Sequence, residues 1–324
     1  MHITRRALIV AASFALALPT LAIAQAYPDK PVKLIVGFPP GTGPDIVTRL
    51  VGQKLEASLK QPVVVDNRAG AGGQIATQGV AKSPADGYTL LIGEVGSISI
   101  APPAFSKLPY DPAKELAVVT ELVRSDFLLV VPVQSAHKTV ADFVKAGKAS
   151  KDRLNFATFG AGTPGHFGAE MLAEQGGFKV EPIHYRATGD AITAIVAGQV
   201  EAAFVSTALG SAQIKAGKMR ALATTAPTRS PLLPDVPTFT EAGLAKVDFS
   251  AWFALFAPAG TSPAILDSLS KQAIAAVQSP DVKQKLIDAG FTVTGTSRAD
   301  AEKMVKAEAP RWAAIVKATG FKGD

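Results

Sequence analysis

Phe38-Pro39-Pro40-Gly41-Thr42-Gly43-Pro44-Asp45 is the stretch that decides the fold. A β-branched and apolar run at residues 32–36 comes directly before it and predicts a buried strand. Apolar residues then recur at steps of three and four up to Leu59, which predicts a helix with one apolar face. The stretch is therefore a turn from a strand into a helix, with Thr42 or Gly43 as the cap and Asp45 in the first helical turn. The free amides of such a helix start are suited to binding an anion.

Further strands are predicted at residues 62–65 and 88–92, with a helix at 75–81 between them. Strands that alternate with helices at this spacing predict βαβ units and a largely parallel sheet. Ligands of such sheets bind outside the carboxyl ends of the strands. Residues 39–45, 67–73 and 93–99 are all predicted to be loops at these ends, and Gly96 and Ser97 in the third loop are candidates for ligand binding.

The same pattern restarts later in the chain. A predicted strand at 154–158 runs into Phe159-Gly160-Ala161-Gly162-Thr163-Pro164-Gly165, and a helix follows from His166. A strand at 200–205 ends at Ser206-Thr207, whose hydroxyls are further candidates. We therefore expect two α/β lobes, each of which presents a glycine-rich helix start to a cleft.

Apolar runs at 117–123, 127–133 and 249–256 are predicted to carry the chain between the lobes. The first lobe then comprises residues 27–124 and 251–324, and the second comprises residues 125–250. Two crossings between two lobes form a hinge, and such proteins close around their ligand.

Residues 1–26 have the pattern of a secretory signal peptide. Arg5 and Arg6 form a basic start, residues 7–18 are apolar, and small residues offer cleavage near Ala24 or Ala26. The apolar run is too short for a membrane span. The chain is therefore predicted to be exported to the periplasm, by either the general or the twin-arginine route.

Composition excludes several functional classes. The chain has 324 residues and no cysteine, which rules out a catalytic thiol and thiolate metal ligands. Without the leader it has 31 basic and 27 acidic residues, and these are scattered, so nothing indicates a nucleic-acid surface. We expect a monomer held together by its apolar core.

Two enzyme classes are weighed and set aside. Gly160-x-Gly162-x-x-Gly165 matches a dinucleotide fingerprint, but an exported protein meets few nucleotide cofactors. The chain has no Gly-x-Ser-x-Gly elbow, and His137, His166 and His184 show no spacing typical of a zinc site. We therefore expect no catalytic residue, no metal and no cofactor.

Short motifs follow one another in a fixed order along the chain after the leader. They are Tyr27-Pro28-x-Lys30-Pro31, Phe38-Pro39-Pro40-Gly41, Asn67-Arg68-x-Gly70-Ala71-Gly72-Gly73, Asp86-Gly87-Tyr88-Thr89-Leu90, Leu108-Pro109-Tyr110-Asp111-Pro112, Leu154-Asn155-Phe156-Ala157-Thr158, Ala197-Gly198-Gln199-Val200, Leu233-Pro234-Asp235-Val236-Pro237-Thr238 and Ala257-Pro258-Ala259-Gly260-Thr261. In this order they resemble the Bug family of extracytoplasmic solute-binding proteins, the receptor component of tripartite tricarboxylate transporters.

The resemblance implies an α/β, two-lobed periplasmic-binding-protein fold of type 2 (a Venus flytrap) with two hinge crossovers. It implies capture of a small carboxylate and delivery to a two-component membrane permease. The chain departs from the family pattern at Thr42, at residues 100–105 and at residues 185–187. These departures concern the ligand, which is a dicarboxylate or tricarboxylate, an acidic amino acid or an aromatic acid. A ligand-sensing subunit of a signalling system is the alternative function.

The predicted ligand-binding residues are Pro40, Gly41, Thr42, Gly43, Asp45, Gly96, Ser97, Gly160, Ala161, Gly162, Thr163, His166, Ser206 and Thr207. Two of them have a second interpretation. Asp45 either orients a ligand amine or water, or only stabilises its helix start. His166 either donates to a carboxylate or packs locally.

Overall fold

The computed structural model describes residues 27–185 and 187–323. The predicted signal peptide and its cleavage sites lie outside the described residues. The strands are β1 (Val32–Val36), β2 (Val63–Asn67), β3 (Thr89–Glu94), β4 (Leu116–Pro132), β5 (Leu154–Thr158), β6 (Val180–His184), β7 (Ala202–Ser206), β8 (Met219–Thr224), β9 (Ser250–Pro258) and β10 (Thr292–Val293).

The longer helices alternate with these strands. They are α1 (Gly43–Leu59), α2 (Gln74–Ala81), α3 (Val140–Ala149), α4 (Pro164–Gly176), α5 (Thr188–Val196), α6 (Thr207–Lys215), α7 (Pro263–Gln278), α8 (Pro280–Asp288) and α9 (Arg298–Thr319). The described chain also contains a 3-10 turn (Ala71–Gly73), a π-helical turn (Gly96–Ile100) and the short helices Ala101–Ala104 and Pro112–Glu115.

The sheet has two similar halves. Its strand order is β2-β1-β3-β9-β4-β7-β5-β6, with β8 and β10 paired to β4. β1 is parallel to β2 and β3, and β5 is parallel to β6 and β7. β9 is antiparallel to β3, and β4 is antiparallel to β7. Each half thus sets three parallel strands beside one antiparallel strand, and the two antiparallel strands pair with each other in the middle. The predicted two-lobed α/β fold is confirmed.

β4 corrects the prediction of two separate apolar runs at 117–123 and 127–133. The strand continues through Arg124, Ser125 and Asp126, which pair with the start of β9. Polar residues are tolerated there because Arg124 Nε lies 2.6 Å from a carboxylate oxygen of the buried Glu121. Residues 116–126 of β4 pair with β9, and residues 127–132 pair with β7 and β8.

The segment 93–99 is also not the predicted polar loop. Gly93 and Glu94 are the last residues of β3, and Gly96 and Ser97 begin the buried π-helical turn. The polar composition misled the prediction because the Glu94 carboxylate is used inside the protein, where it accepts a hydrogen bond from the Ser97 amide at 3.1 Å.

Candidate functional site

The first glycine turn, residues 38–45, joins β1 to α1. Thr42 is the N-cap residue, but its hydroxyl donates backwards to the Pro39 carbonyl at 2.7 Å. Gly41 has a φ of +80°, in the left-handed region that favours glycine, and its amide donates to the Asp45 carboxylate at 2.9 Å. The turn is thus closed by two hydrogen bonds of its own side chains.

The Asp45 carboxylate is 2% exposed and has three donors. Besides the Gly41 amide, these are Asn67 Nδ2 at 2.8 Å and Arg49 Nε at 2.9 Å. Burial acts to raise the pKa of Asp45, but the hydrogen bonds from Arg49, Gly41 and Asn67 outweigh it and hold the pKa below its usual value. These contacts support the interpretation that Asp45 stabilises its helix start.

The second glycine turn, residues 159–166, joins β5 to α4 and matches the first position by position. Thr163 is its N-cap, and the Thr163 hydroxyl donates backwards to the Gly160 carbonyl at 2.8 Å. Gly162 has a φ of +73°, and its amide donates to Nδ1 of His166 at 3.2 Å. His166 therefore occupies the place that Asp45 has in the first turn.

Both turns retain free amides at the start of their helices. In the described part of the chain, the amides of Gly43 and Asp45 have no hydrogen-bond acceptor, and the same holds for those of Thr163 and Gly165. Pro40 and Ala161 take equivalent, exposed positions in the two turns. Both halves of the molecule thus have the free helix-start amides on which the prediction of anion binding was based.

His166 is a neutral side chain in this structure. Its ring is 3% exposed, and burial together with the nearby His184 lowers its pKa to about 4. Because Nδ1 accepts from the Gly162 amide, the neutral ring carries its proton on Nε2. The His184 ring lies 4.9 Å away, with its Nδ1 2.6 Å from the Thr158 hydroxyl.

Two aromatic side chains that sequence reasoning missed cover the second turn. A Cβ on Gly162 would lie 3.0 Å from the Phe105 ring and 4.0 Å from that of Phe321. The Phe321 ring is also 4.8 Å from that of His166, and the amide of Gly323, two residues further on, donates to the Ala104 carbonyl at 2.8 Å. The one signal in the sequence is that Phe105 ends a segment that departs from the family pattern, at residues 100–105.

Ser97 lies beside the first turn although it is not in a loop. Its Oγ is 3.7 Å from the position of a Cβ on Gly73, and the Phe38 ring is 3.6 Å from the same point. The Ser97 hydroxyl is already engaged, since it contacts the Thr77 hydroxyl at 2.9 Å. The carboxyl ends of β1, β2 and β3 thus bring the first turn, residues 70–73 and Ser97 together.

Ser206 and Thr207 start α6, and both hydroxyls are used locally. Ser206 Oγ accepts from the Leu209 amide at 3.3 Å, and Thr207 Oγ1 donates to the Asp126 carbonyl at 3.1 Å. This helix start approaches the first turn, because a Cβ on Gly43 would lie 3.8 Å from that of Ala208.

Two depressions on the surface lie elsewhere. One, of about 510 Å³, lies between α1 and α7 and is lined by Lys54 and Lys271 among others. The other, of about 380 Å³, lies between α3 and residues 242–244. Neither contains a residue of the two turns, so the candidate site rests on the helix starts and not on these depressions.

Residues 27–185 and 187–323 contain neither a metal-binding cluster nor a membrane-spanning helix. No group of three or more His, Asp or Glu side chains in these ranges is placed to hold a metal ion. No helix there is both long and apolar enough to cross a membrane.

The sheet has two halves with parallel strands, each half has a glycine turn that leads into a helix, and two antiparallel strands pair in the middle. This arrangement, together with its structural neighbours, defines a two-lobed periplasmic solute-binding protein. The chain belongs to the family described as "Tripartite tricarboxylate transporter family receptor", whose profile matches residues 47–321. The resemblance to the Bug family is thereby confirmed, and so is the prediction of a binding protein rather than an enzyme. Receptors of this family are periplasmic.

Similar proteins agree over nearly the full chain. Protein BugT from Bordetella pertussis is 33% identical over 300 residues, which are 92% of each chain. The solved structure of MatC from Rhodopseudomonas palustris with bound malate is 31% identical, has a TM-score of 0.82 and covers 90% of this chain and 100% of its own. A second R. palustris structure, with adipate, is 30% identical, has a TM-score of 0.86 and covers 91% of this chain and 99% of its own.

Proposed function

We propose that this receptor captures a small dicarboxylate between its two glycine turns and delivers it to a two-component membrane permease. The observation that carries the proposal is the pair of matched helix starts, each with free amides in the described chain. Two anion-binding ends suit a ligand with two carboxylates. The solved relatives with malate and with adipate, both dicarboxylates, support the same class.

Helix dipoles alone do not supply the affinity. A helix start contributes about 0.3–1 kcal/mol to a nearby charge, and up to about 2 kcal/mol when partly buried. Micromolar binding requires about 8 kcal/mol. We assign the rest of the binding free energy to direct hydrogen bonds from the amides of the two turns, to the Nε2–H of His166 and to bridging waters.

The proposed lobes are residues 27–124 with 251–324, and residues 125–250. The pairing of β4 supports this division, since its first part pairs with β9 and its last part with β7 and β8. Closure of the two lobes would bring both turns onto one ligand. We propose a monomeric periplasmic protein, with the leader cleaved near Ala24 or Ala26.

The first experiment is a calorimetric and thermal-shift screen on protein that has been unfolded and refolded to remove bound ligand. The panel holds C4 to C6 dicarboxylates, citrate, acidic amino acids and aromatic acids, with sugars as controls. A ligand at about 100 times its Kd stabilises the protein by about 2.7 kcal/mol. Binding of a dicarboxylate supports the proposal, and binding of none of the acids overturns it.

A matched pair of variants then tests the first turn. Gly41→Val should abolish binding, because the new side chain stands over the helix start. Gly217→Val is the control: both glycines have positive φ and no atom within 4 Å of an added Cβ, so both variants carry similar backbone strain. Equal affinity in the two variants would contradict the assignment of the first turn.

Delivery is tested by uptake of the labelled acid into cells that contain the permease. Uptake should require the receptor and should be lost with Gly41→Val. Uptake that is unchanged without the receptor would contradict its role in transport.

A further inference from the structure

Glu94 is a buried carboxyl group at the end of β3, the strand that pairs with β1 on the side of the first glycine turn. It is the last residue of β3 and is 6% exposed. Its carboxylate accepts from the Ser97 amide at 3.1 Å and leaves no room for a side chain on Gly96, where an added Cβ would collide with it. Glu94 therefore fixes the start of the π-helical turn that holds Ser97 in place.

Two chains of contacts lead from Glu94 to the first turn. On one side, Ser97 bonds to the Thr77 hydroxyl, and Thr77 in turn donates to the Gly73 carbonyl at 3.0 Å. On the other side, the register partner of Glu94 is Phe253. The Phe253 ring packs 5.8 Å from that of Phe291, which lies 2.9 Å from the position of a Cβ on Gly43.

The groups that face Glu94 carry no positive charge. They are the Tyr110 phenol between the two short helices, the amides of Gly96 and Ser97, and the apolar Phe253 of β9. In the described chain no Lys, Arg or His forms an ion pair with Glu94, in contrast to Asp45 with its partner Arg49. Tyr110 donates to the Ser97 carbonyl at 2.7 Å, and burial together with Glu94 raises its pKa, so it stays neutral.

We propose that Glu94 is a positioning residue of the first half of the ligand site and that it takes up a proton when a carboxylate ligand binds. The inference rests on the proposed function. A second negative charge that arrives at the amides of Gly43 and Asp45 disfavours the ionised form of a buried carboxyl nearby. Burial already raises the pKa of Glu94 to about 7, so the group is divided between its two forms near neutral pH. Ligand affinity then falls as the pH rises, because binding must be accompanied by proton uptake.

The test is calorimetry with malate and adipate from about pH 6 to about pH 8.5, in buffers with different ionisation heats. The wild-type protein should take up a fraction of a proton near pH 7 and should lose up to about tenfold in affinity per pH unit above that. His166, with a pKa of about 4, is neutral throughout this range, and burial lowers the pKa of His184, so neither histidine accounts for a change in affinity above pH 7.

Glu94→Gln keeps the size and an acceptor of the side chain but does not titrate. Its affinity should be independent of pH, with no proton uptake. Glu170→Gln is the matched control, because Glu170 is a half-buried carboxyl with a raised pKa on α4, in the other half of the sheet. Glu170→Gln should keep the wild-type dependence of affinity on pH.

The outcomes separate the two proposals. If malate, adipate and every other acid of the panel fail to bind at any pH, the proposed function fails; if another acid of the panel binds, it replaces malate and adipate in this test. If an acid binds but the wild-type protein takes up no proton, only the role of Glu94 is overturned. The same holds if Glu94→Gln keeps both the pH dependence of affinity and the proton uptake on binding. The wild-type measurement needs no variant and decides the question even if Glu94→Gln does not fold.

Discussion

The two glycine turns share one backbone design but differ in charge and surroundings. In each turn a threonine hydroxyl donates three residues back and a glycine amide donates to the side chain four residues ahead. That side chain is an ionised carboxylate with an arginine partner in the first turn, and a neutral imidazole among aromatic rings in the second.

The difference shows that hydrogen-bond geometry and electrostatics are set by different residues. The glycine and threonine positions determine the turn, whereas the charge of the side chain that accepts from the glycine amide is set by partners outside the turn. Asp45 depends on Asn67 of β2 and on Arg49, while His166 depends on Phe167 and Phe321. We therefore expect the first turn to tolerate a charged acceptor for its glycine amide and the second turn to tolerate only a neutral one.

The largest effect is expected for His166→Asp, which puts a carboxylate into the second turn without an arginine partner. An uncompensated buried charge costs about 3–5 kcal/mol, so we expect a fall of that order in the free energy of unfolding at pH 7. The loss should shrink in acid, where the new carboxyl is protonated. Urea unfolding at neutral and acid pH measures both.

His166→Asn is the control for this variant, because its amide oxygen can still accept the Gly162 amide and it carries no charge. It should cost about 1–2 kcal/mol for lost packing. Equal losses in the two variants at pH 7 would show that charge is not what distinguishes the turns.

The pH dependence of stability is the next largest effect. The pKa of His166 falls from an ordinary 6.5 to about 4 in the folded protein. The unfolded chain therefore takes up a proton below pH 6.5 that the folded protein refuses until about pH 4. The contribution of His166 to the free energy of unfolding is therefore fully present above pH 6.5. It is lost as the pH falls toward 4, by up to about 3 kcal/mol.

The measurement is urea unfolding against pH for the wild-type protein and for His166→Asn. Glu94 has a raised pKa and contributes the opposite slope, so the difference between the two proteins reports on His166. Parallel curves between pH 6.5 and pH 4 would contradict a neutral, buried His166. Asp45, whose pKa is lowered, acts only at more acid pH.

Much of this design was predictable because it is local. Glycine, threonine and proline in residues 38–45 and 159–166 predicted both turns, and the sequence before each turn predicted the strands Val32–Val36 and Leu154–Thr158 with the bounds that the structure has. Such signals act within a few residues, so one sequence contains them in full.

The partners of the turns were not predictable in this way. Phe321 reaches His166 from the end of the chain, and Asn67 reaches Asp45 across two strands. Glu94 was assigned to a loop because a polar residue between glycines is typical of one, whereas burial and hydrogen bonds to backbone amides place it at the end of a strand. Each of these depends on tertiary packing, which has no local pattern.

A third and smaller effect compares Gly41→Ala with Gly162→Ala. Both glycines have positive φ, so each variant costs about 1–2 kcal/mol in backbone strain. The Cβ at position 162 also approaches the Phe105 ring to 3.0 Å, whereas at position 41 it meets no atom within 4 Å. Gly162→Ala should therefore be less stable than Gly41→Ala in urea unfolding. The reverse order would show that Phe105 does not cover the second turn.

The smallest effect is expected for Arg49→Gln in the first turn. Arg49 is 53% exposed, and an exposed ion pair contributes about 0–1 kcal/mol. Asp45 keeps its bonds to Gly41 and Asn67, so stability at pH 7 should fall by less than about 1 kcal/mol. The pKa of Asp45 should nevertheless rise, because its hydrogen bond and its attraction to the guanidinium are lost. The loss of stability that Asp45 contributes in acid should then be smaller in the variant than in the wild-type protein, because the folded and unfolded pKa values of Asp45 lie closer together. A fall in stability well above about 1 kcal/mol at pH 7 would contradict this expectation. It would mean that the first turn requires the Arg49 guanidinium as strongly as the second turn requires the absence of charge.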